Sequence, residues 1–348
     1  MPARMDFASD NTAPVHPEIM SALVAANESH QLGYGDDTCT SKAIEKFKEL
    51  FGADTEVFFV FNGTGANTLS VAAVCRSFNS VICSGGAHIS VDECSSIEKF
   101  VGCKLTLLPS ADGKVRPEQL PPLLNRIGIE HTAQPNIISI TQPTEMGALY
   151  TTNEIQELAD FAHSHSMHLH MDGARIANAC ASLGIGLKEG TKDLGVDILS
   201  FGGTKNGLMY GEAAVIFRPE LANGFKYFRK QSTQLASKMR YISAQFDRYL
   251  TDDFWLKNAS HANNMAKLLA EKLTTVPGVQ LLNNVECNSL FIKIPAESVS
   301  ELQKLFYFWV WNHEDSVIRF LTSFCTTEAA IDELVSAVRQ CVTAAARK

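Results

Sequence analysis

The sequence predicts an α/β protein in which a large domain with a mostly parallel sheet precedes a small C-terminal α+β domain. Over the first two thirds of the 348 residues, short apolar runs alternate with helical patterns. Such alternation is typical of a parallel sheet covered by helices. After about residue 225, longer helical patterns and shorter strand patterns follow. We therefore expect a large domain over residues 1–240, including the N-terminal segment, and a small domain over residues 241–348.

The elements of the large domain follow from their residue patterns. Buried strands of a parallel sheet are nearly continuous apolar runs. Such runs occur at residues 56–61, 80–83, 136–141, 167–172, 196–201 and 212–217. Between them, Ile155, Leu158 and Ala162 recur at helical spacing and predict a helix over residues 153–164. Ligands of open α/β sheets bind beyond the carboxyl ends of the strands, so we look for the functional residues there.

The last third of the chain predicts the small domain. One helix is expected over residues 225–250, and a second over residues 253–274 buries the apolar face of Met265, Leu268, Leu269 and Leu273. Short strands are expected over residues 279–282, 289–294 and 317–323. A final helix is indicated by an apolar stripe of Ile331, Leu334, Val335, Val338 and Val342.

Composition and charge exclude several classes of partner. The 30 basic and 38 acidic residues give a formal charge of −8, which disfavours binding to nucleic acid or to anionic membranes. No apolar run approaches the roughly 18 residues that cross a bilayer, and the N-terminal residues lack the apolar stretch of a secretory signal. The nine cysteines form no C-x-x-C pair and indicate reduced thiols. We expect a cytoplasmic protein without a metal site.

A turn that could bind phosphate follows the first predicted strand. Residues 62–67 read Asn-Gly-Thr-Gly-Ala-Asn and precede a helical run. Glycine lets backbone N–H groups approach an anion, and the helix N-terminus adds the positive end of its dipole. Gly63 and Thr64 are therefore candidates for phosphate binding. The third glycine of a dinucleotide fingerprint would fall on Thr68, so that motif is excluded. An ordinary capped turn remains the alternative.

An aspartate ends the fourth predicted strand. Asp172 is poorly solvated at such a position and needs a cationic or hydrogen-bonding partner. A protonated pyridine nitrogen is one candidate, and an ion pair with Arg175 or a helix cap is another. The strand also suggests a competing metal site, because His168, His170 and Asp172 alternate with apolar residues and point to one face.

A lysine among glycines follows the fifth predicted strand. Lys205 lies in the segment Gly-Gly-Thr-Lys-Asn-Gly of residues 202–207. A buried ammonium group is costly unless it is paired or used covalently, and a desolvated lysine becomes a Schiff-base nucleophile. A surface lysine is the alternative. Together the turn, Asp172 and Lys205 suit the phosphate, the ring nitrogen and the aldehyde of pyridoxal 5′-phosphate.

With these residues, the sequence resembles the low-specificity L-threonine aldolases, a family of fold-type I pyridoxal phosphate enzymes within the β-eliminating-lyase group. The resemblance spans nearly the whole chain. Its motifs are residues 7–11 with Pro14, residues 33–37, residues 62–64, Ala87 and His88 with Glu93, His131, residues 172–175, Lys205, Met239 with Arg240, and Ile318 with Arg319. The fold that it implies is the transferase-like fold type I.

The resemblance implies roles for the residues that would hold the cofactor. Lys205 matches the lysine that forms the aldimine, and Asp172 matches the partner of the pyridine nitrogen. His88 matches the imidazole that stacks on the ring, and Gly63 and Thr64 match the phosphate turn. These residues, with Arg175, make up the cofactor site that one subunit is expected to provide.

Other roles concern the substrate and the neighbouring subunit. Ser9, Arg175 and Arg319 match the groups that hold the substrate carboxylate. Tyr34 is also expected to bind the substrate. The fork of a guanidinium suits that task. Arg240 matches an arginine that reaches the phosphate from the next subunit. A homodimer or homotetramer with shared active sites is therefore expected.

The activity implied is that of a carbon–carbon lyase. Through the aldimine at Lys205, an L-3-hydroxy amino acid such as L-threonine or L-allo-threonine would lose its Cα–Cβ bond by retro-aldol cleavage to give glycine and an aldehyde. His88 and His131 are the candidate bases for the hydroxyl group. Another pyridoxal phosphate reaction, β-elimination or transamination, is the alternative on the same fold.

Three segments depart from the family pattern. Thr204 precedes the lysine where serine is more usual, and Asn206 replaces a glycine. Residues 142–145 read Gln-Pro-Thr-Glu where Glu-Asn-Thr-His is more usual, and this change is expected to alter the floor of the pocket. Residues 231–238 replace a glycine triad, so the loop next to the shared site is expected to be reshaped.

Overall fold

The structure is a computed structural model that describes residues 5–345. Its strands are β1 (Met5–Asp6), β2 (Glu56–Val60), β3 (Asn79–Ser84), β4 (Lys104–Leu108), β5 (Gln134–Thr141), β6 (His168–Gly173), β7 (Ile198–Gly202), β8 (Glu212–Ile216), β9 (Gln280–Leu281), β10 (Ser289–Lys293), β11 (Phe306–Tyr307), β12 (Trp309–Asn312) and β13 (Val317–Leu321). Its α-helices are α1 (Pro17–Ala26), α2 (Thr38–Phe51), α3 (Gly63–Val74), α4 (His88–Val91), α5 (Ser96–Phe100), α6 (Pro121–Leu124), α7 (Thr152–Ser164), α8 (Ile176–Leu183), α9 (Phe225–Gln231), α10 (Arg240–Tyr249), α11 (Phe254–Leu273), α12 (Ala296–Leu305) and α13 (Glu328–Ala345).

The large sheet has seven strands in the order β2-β8-β7-β6-β5-β3-β4. The pairs β3–β4, β3–β5, β5–β6 and β6–β7 are parallel, whereas β8 is antiparallel to both of its neighbours. The predicted mostly parallel sheet is therefore confirmed. The sequence did not predict β4, because the pattern of this edge strand, Lys-Leu-Thr-Leu-Leu, lacks the continuous apolar run of a buried strand.

Aromatic side chains join the helices on one face of the large sheet to its strands. Phe47 of α2 contacts Phe59, Phe201 and Phe246, with ring centroids 5.3 to 5.8 Å apart. All four side chains are buried. Burial of each stabilises the fold by roughly 1.5–3 kcal/mol. Because Phe246 lies on α10, this helix packs with the large sheet. We therefore propose that the small domain begins after Tyr249 rather than at residue 241.

The prediction of a single helix over residues 225–250 is wrong. The chain leaves the helix after Gln231, and a second helix begins at Arg240. Between them Thr233 has a φ of 61°, which a helix does not accommodate. Gln234 Oε1 accepts a hydrogen bond of 3.0 Å from Phe61 N–H, at the end of β2. This contact fixes the intervening loop against the large sheet.

The small domain contains a four-stranded antiparallel sheet in the order β12-β13-β10-β9, and α11, α12 and α13 pack beside it. The chain start also packs here, because β1 pairs with β11 and the buried Phe7 ring contacts Phe306 and Phe320. The N-terminal strand therefore packs with the small domain, whereas the sequence pattern placed it in the large one. Within residues 5–345, no helix is long and apolar enough to cross a membrane.

Candidate active site

Five strands of the large sheet bring functional residues to the same edge. β2 is followed by Gly63, β3 by His88, β5 by Glu145 and β7 by Lys205, while Asp172 lies near the end of β6. All five residues line one cavity. Because the strands β3, β5, β6 and β7 run parallel, their carboxyl ends meet at this edge, where ligands of such sheets bind.

A buried hydrogen-bond network fixes Asp172. Asn67 Nδ2 of α3 donates to Asp172 Oδ2 and to Glu93 Oε1, both at 2.8 Å. Asp172 Oδ1 accepts the N–H of Ala174 at 2.9 Å. Asn67, Glu93 and Asp172 are all buried, so the carboxylate of Asp172 has a single orientation. A carboxylate has about four acceptor positions, which leaves Asp172 able to accept a further donor.

Glu93 sets the state of the imidazole of His88. His88 Nδ1 lies 2.9 Å from Glu93 Oε1. The hydrogen bond with Glu93 raises the pKa of His88 above its ordinary value, because it favours the protonated ring. With Nδ1 occupied in this way, Nε2 is the ring nitrogen left for another partner. The side chain of His88 is 39% exposed, whereas that of Glu93 is fully buried.

Lys205 has no ordinary structural role. Among the described residues, its Nζ has neither a hydrogen-bond acceptor nor an ion-pair partner. Burial lowers the pKa of Lys205 below its ordinary value, and the positive charge of Arg175 adds to the effect. A lysine with these properties is readily deprotonated and suits covalent use as a nucleophile. The alternative of a surface lysine is therefore not supported.

Arg175 lines the cavity, and the positive charge of Arg319 is close enough to interact with it. Arg175 Nε and Nη2 donate to Asp10 at 2.6 and 2.8 Å. Burial, together with the charge of Arg175, lowers the pKa of Arg319 to about 10. Arg319 stacks on the ring of Trp311, but its buried Nε has no partner. Ser9 is next to Asp10 in the chain, and its Oγ caps the short helix that contains Asp10. A small carboxylate would relieve the repulsion between the two arginines.

The turn after β2 has the features of an anion site. Asn62 Oδ1 caps α3 by accepting the N–H of Gly65 at 2.8 Å. The N–H groups of Gly63 and Thr64 are not used within the helix, as at any helix start. A Cβ at Gly65 would lie 2.4 Å from Gln234 Cδ, so a larger residue there would have to displace the Gln234 side chain of the loop that follows α9. The loop of residues 231–238, expected to be reshaped, thus packs directly on this turn.

The structure does not place His131 at the cavity, so its expected role as a base is not supported by the geometry of a single subunit. His131 precedes β5, whereas the cavity lies beyond the other end of that strand. Eight residues of extended strand span about 26 Å. His131 is 84% exposed and lies near Ser80 and Lys104, at the amino ends of β3 and β4. No period or motif marked it, and the assignment came from the resemblance alone.

Five other predicted residues do not line this cavity in the described chain: Ser9, Tyr34, Thr64, Arg240 and Arg319. Tyr34 is exposed, and Lys230 lies over its ring at 5.2 Å. Arg240 begins α10, and its Nη1 donates to the carbonyl of Ser29 at 3.0 Å. The role of Tyr34 at the substrate and that of Arg240 at the phosphate of the neighbouring subunit stay predictions.

Asn67 and Glu145 are among the cavity residues that sequence reasoning did not assign to the site. Asn67 was noted only as the end of the turn motif, yet it joins Asp172 to Glu93. Glu145 was noted only as a departure from the family, yet it lines the cavity. The sequence offered a signal for each. Asn67 lies one helical turn beyond Gly63, and Glu145 follows a predicted strand by four residues.

The metal alternative on β6 is not supported. His170 is buried, and its two ring nitrogens lie 2.9 Å from Ser139 Oγ and 3.0 Å from Ser200 Oγ. Burial lowers the pKa of His170 to about 4, so the ring is neutral. Across residues 5–345, no group of three His, Cys, Asp or Glu side chains could hold a metal ion.

The residues at the cavity fit pyridoxal 5′-phosphate, the cofactor that the sequence predicts. An unpartnered lysine suits its aldehyde, a fixed buried carboxylate suits its ring nitrogen, and an open helix start suits its phosphate. The fit depends on Lys205, Asp172 and Gly63, which three different strands bring to one cavity.

Sequence comparison identifies relatives that match over nearly the full length of the chain. The profile of the family described as Beta-eliminating lyase matches residues 6–297. A low specificity L-threonine aldolase of Pseudomonas aeruginosa is 42% identical over 335 residues, which cover 96% of this chain and 96% of the relative. Another, from a Pseudomonas species, is 41% identical and covers 97% and 98%.

Solved structures agree with this relationship. A threonine aldolase of Leishmania major superposes with a TM-score of 0.92 at 28% identity, covering 97% of this chain and 99% of that one. A putative L-allo-threonine aldolase of Listeria monocytogenes, at 17% identity and a TM-score of 0.72, covers 94% of each chain and shares the fold. The chain belongs to the β-eliminating lyase family, whose members are pyridoxal phosphate-dependent lyases.

Proposed function

We propose that the protein cleaves L-threonine, L-allo-threonine and other L-3-hydroxy amino acids to glycine and an aldehyde. The observation that carries the proposal is the cavity in which the unpartnered Lys205 lies with Asp172 and His88 beside the arginine pair of Arg175 and Arg319. The relatives named as low specificity L-threonine aldolases support it, since they are 41–42% identical over nearly the whole chain.

Each part of the cofactor has a partner in this chain. Lys205 would bind the aldehyde carbon, and Asp172 would accept a hydrogen bond from the protonated ring nitrogen. His88 would cover one face of the ring, and the N–H groups of Gly63 and Thr64 would hold the phosphate. When bound, the cofactor supplies an electron sink that stabilises negative charge at the substrate Cα.

The arginines orient the amino acid. Arg175 is held by Asp10 through two hydrogen bonds and keeps Nη1 for another acceptor. Arg319 retains an unused Nε. A carboxylate bound between the two would fix the Cα substituents relative to Lys205, as expected for Ser9, Arg175 and Arg319. Fixed orientation is the main contribution that such groups make to the rate.

The proposed function is tested by spectroscopy and product analysis. The purified protein with pyridoxal phosphate should show a visible absorption band that borohydride removes, and peptide mapping should find the reduced adduct on Lys205. The variant Lys205→Ala should lose the adduct. Lys192→Ala, which removes a lysine paired with Asp54 outside the cavity, should keep it.

The products distinguish aldol cleavage from other reactions on this fold. L-Threonine should yield equal amounts of acetaldehyde and glycine. Formation of ammonia and 2-oxobutanoate would instead indicate β-elimination, and a keto acid formed with transfer of the amino group would indicate transamination. Either result in place of acetaldehyde would refute the aldolase proposal and leave the cofactor site intact.

We also propose that active sites are shared in a homodimer or homotetramer. Support comes from Arg240, which does not line the cavity of its own chain, although the resemblance assigns it to the phosphate. Mixing inactive Lys205→Ala with inactive Arg240→Ala subunits should restore activity, because one site in the mixed dimer contains both native residues. Absence of any recovery would show that the two residues act within one chain.

A cytoplasmic location is proposed on chemical grounds. All nine cysteines are free, as is usual in a reducing compartment. Cell fractionation with antibodies against the chain tests this, and recovery outside the cytoplasmic fraction would refute it.

A further inference from the structure

We propose that Glu145 is the catalytic residue that exchanges a proton with the β-hydroxyl group of the substrate. This inference rests on the proposed function, because it assigns an acid–base group to that aldol cleavage. His131 lies at the opposite edge of the sheet, and Nδ1 of His88 is bound to Glu93. Of the two histidines expected to accept the hydroxyl proton, only His88 has an unoccupied ring nitrogen near the cavity, Nε2. That ring is expected to cover the cofactor.

A count of carboxylate oxygens singles out Glu145. Three carboxyl groups line the cavity: Glu93, Glu145 and Asp172. Both oxygens of Asp172 accept hydrogen bonds, from Asn67 and from a backbone N–H. Both oxygens of Glu93 also accept hydrogen bonds. Glu145 Oε2 is buried and has no partner among the described residues. A buried polar atom of this kind requires an explanation, and a substrate hydroxyl group would be its partner.

Hydrogen bonds fix the position of Glu145. Its Oε1 accepts the backbone N–H of His88 at 2.7 Å and the hydroxyl of Thr141 at 3.0 Å. The loop that carries it is closed by the side-chain amide of Gln142, which donates to Tyr150 O and accepts from Tyr150 N–H, both at 2.9 Å. The carboxyl group is therefore oriented before substrate arrives, with Oε2 as its free atom.

The surroundings of Glu145 suit proton exchange. Burial raises the pKa of Glu145 above its ordinary value, and the nearby negative charge of Asp172 acts in the same direction. A carboxyl group with a raised pKa is a better base for a hydroxyl proton than an exposed one. The titratable groups that line the same cavity are His88, Glu93, Asp172 and Lys205. Cys83 of β3, Tyr150 and Arg319 of β13 are close enough to interact with its charge.

The proposed step conserves atoms and electrons. The Glu145 carboxylate takes the hydroxyl proton, and the electron pair of that O–H bond forms the C=O bond of the aldehyde. The Cα–Cβ bond breaks, and its electron pair stays with the amino acid half. Cα takes a proton from solvent to complete glycine, and Glu145 releases the former hydroxyl proton to solvent, so that no net proton is gained or lost. In the synthetic direction the protonated carboxyl group donates to the aldehyde oxygen.

The test is the isosteric variant Glu145→Gln, with Glu286→Gln as the matched control. The amide oxygen introduced at position 145 can keep the two hydrogen bonds at Oε1, but the amide cannot take a proton. Glu286 accepts the N–H of Leu149 on the same loop at 2.6 Å and does not line the cavity. We expect Glu145→Gln to lower kcat for threonine cleavage by about 10²–10⁴-fold, while Glu286→Gln remains close to the native protein.

Three further readouts separate a proton-exchange role from a structural one. Glycine lacks the hydroxyl group, so its dissociation constant should be unchanged in Glu145→Gln. Infrared titration of the cofactor-free native protein should show a carboxylic acid band that titrates above the usual range of glutamate. This band should be absent from Glu145→Gln. In the pH profile of the native enzyme, kcat should decrease on the acidic side, where Glu145 becomes protonated. The variant Glu145→Asp should retain that acidic limb with reduced kcat.

Defined results would overturn the inference. A Glu145→Gln enzyme with native kcat and the native acidic limb would exclude Glu145 as the proton acceptor. If Glu145→Gln weakened glycine binding by the same factor as it lowered kcat, Glu145 would only maintain the structure of the site. Failure of the native protein to release acetaldehyde would refute the proposed function itself, whereas native cleavage with an unaffected variant refutes only the role of Glu145.

Discussion

Replacing Asp10 by asparagine tests whether the arginine at the substrate site depends on a buried counter-ion. Asp10 is 2% exposed and accepts two hydrogen bonds from Arg175 and one of 3.1 Å from Asn288 Nδ2. Although burial alone would raise the pKa of Asp10, the charge and hydrogen bonds of Arg175 hold it below its ordinary value. Asp10 is therefore ionised and paired in the folded protein.

The expected cost follows from the burial of the pair. Asp10→Asn removes the negative charge but leaves the guanidinium of Arg175 in place, and a broken buried pair costs about 3–5 kcal/mol. The pair of Asp112 and Arg116 is a matched control. It also has two hydrogen bonds, but its side chains are 37% and 46% exposed. Asp112→Asn should cost less than Asp10→Asn, because solvent weakens the exposed ion pair of Asp112 with Arg116.

Urea unfolding followed by circular dichroism measures both costs. The pH dependence adds a second criterion. Because the folded-state pKa of Asp10 is lowered, its contribution is present above the unfolded pKa, near 3.8, and is lost as the pH falls through the folded value. The difference between native protein and Asp10→Asn should therefore shrink below about pH 4. Equal costs for the buried and the exposed variant would refute the reasoning.

The remaining predictions concern the histidines and the phosphate turn. Glu93→Gln should lower the pKa of His88, since the hydrogen bond with Glu93 raises it, and NMR titration of the ring would detect no change if that bond were unimportant. Gly65→Ala should weaken pyridoxal phosphate binding by about tenfold, because its Cβ would overlap Gln234; adding Gln234→Ala should restore affinity, and a lack of rescue would contradict this cause. His131→Ala should leave kcat/KM for threonine unchanged, and a large loss would place that residue at a site in another subunit.

The sequence predicted the large sheet well because its strands are buried on both faces. Continuous apolar runs marked β2, β3, β5, β6, β7 and β8. The break between α9 and α10 could not be predicted, because the pattern of residues 225–250 is helical and the loop is fixed by a contact distant in sequence. That contact joins Gln234 to Phe61, 173 residues apart. Local propensity carries no information about such a partner.

The site was predictable where chemistry and strand position coincide. Lys205 and Asp172 are unusual residue types beside apolar strands, so each signalled a special environment. Asn67 gave no such signal, because an asparagine within a helix usually faces solvent. Asn67 belongs to the site because α3 packs against β6, which places the side-chain amide of Asn67 next to Asp172.

The contrast between His131 and Glu145 shows which rule would have found the acid–base group. Both flank β5, and histidine is the more common base. In a parallel sheet, however, only residues after a strand reach the ligand edge. His131 comes before β5 and lies with the amino ends of β3 and β4, whereas Glu145 comes after it and faces Asp172. Position relative to the strand therefore outweighs residue type. A carboxyl group can replace an imidazole there because burial raises its pKa toward the range in which it exchanges protons.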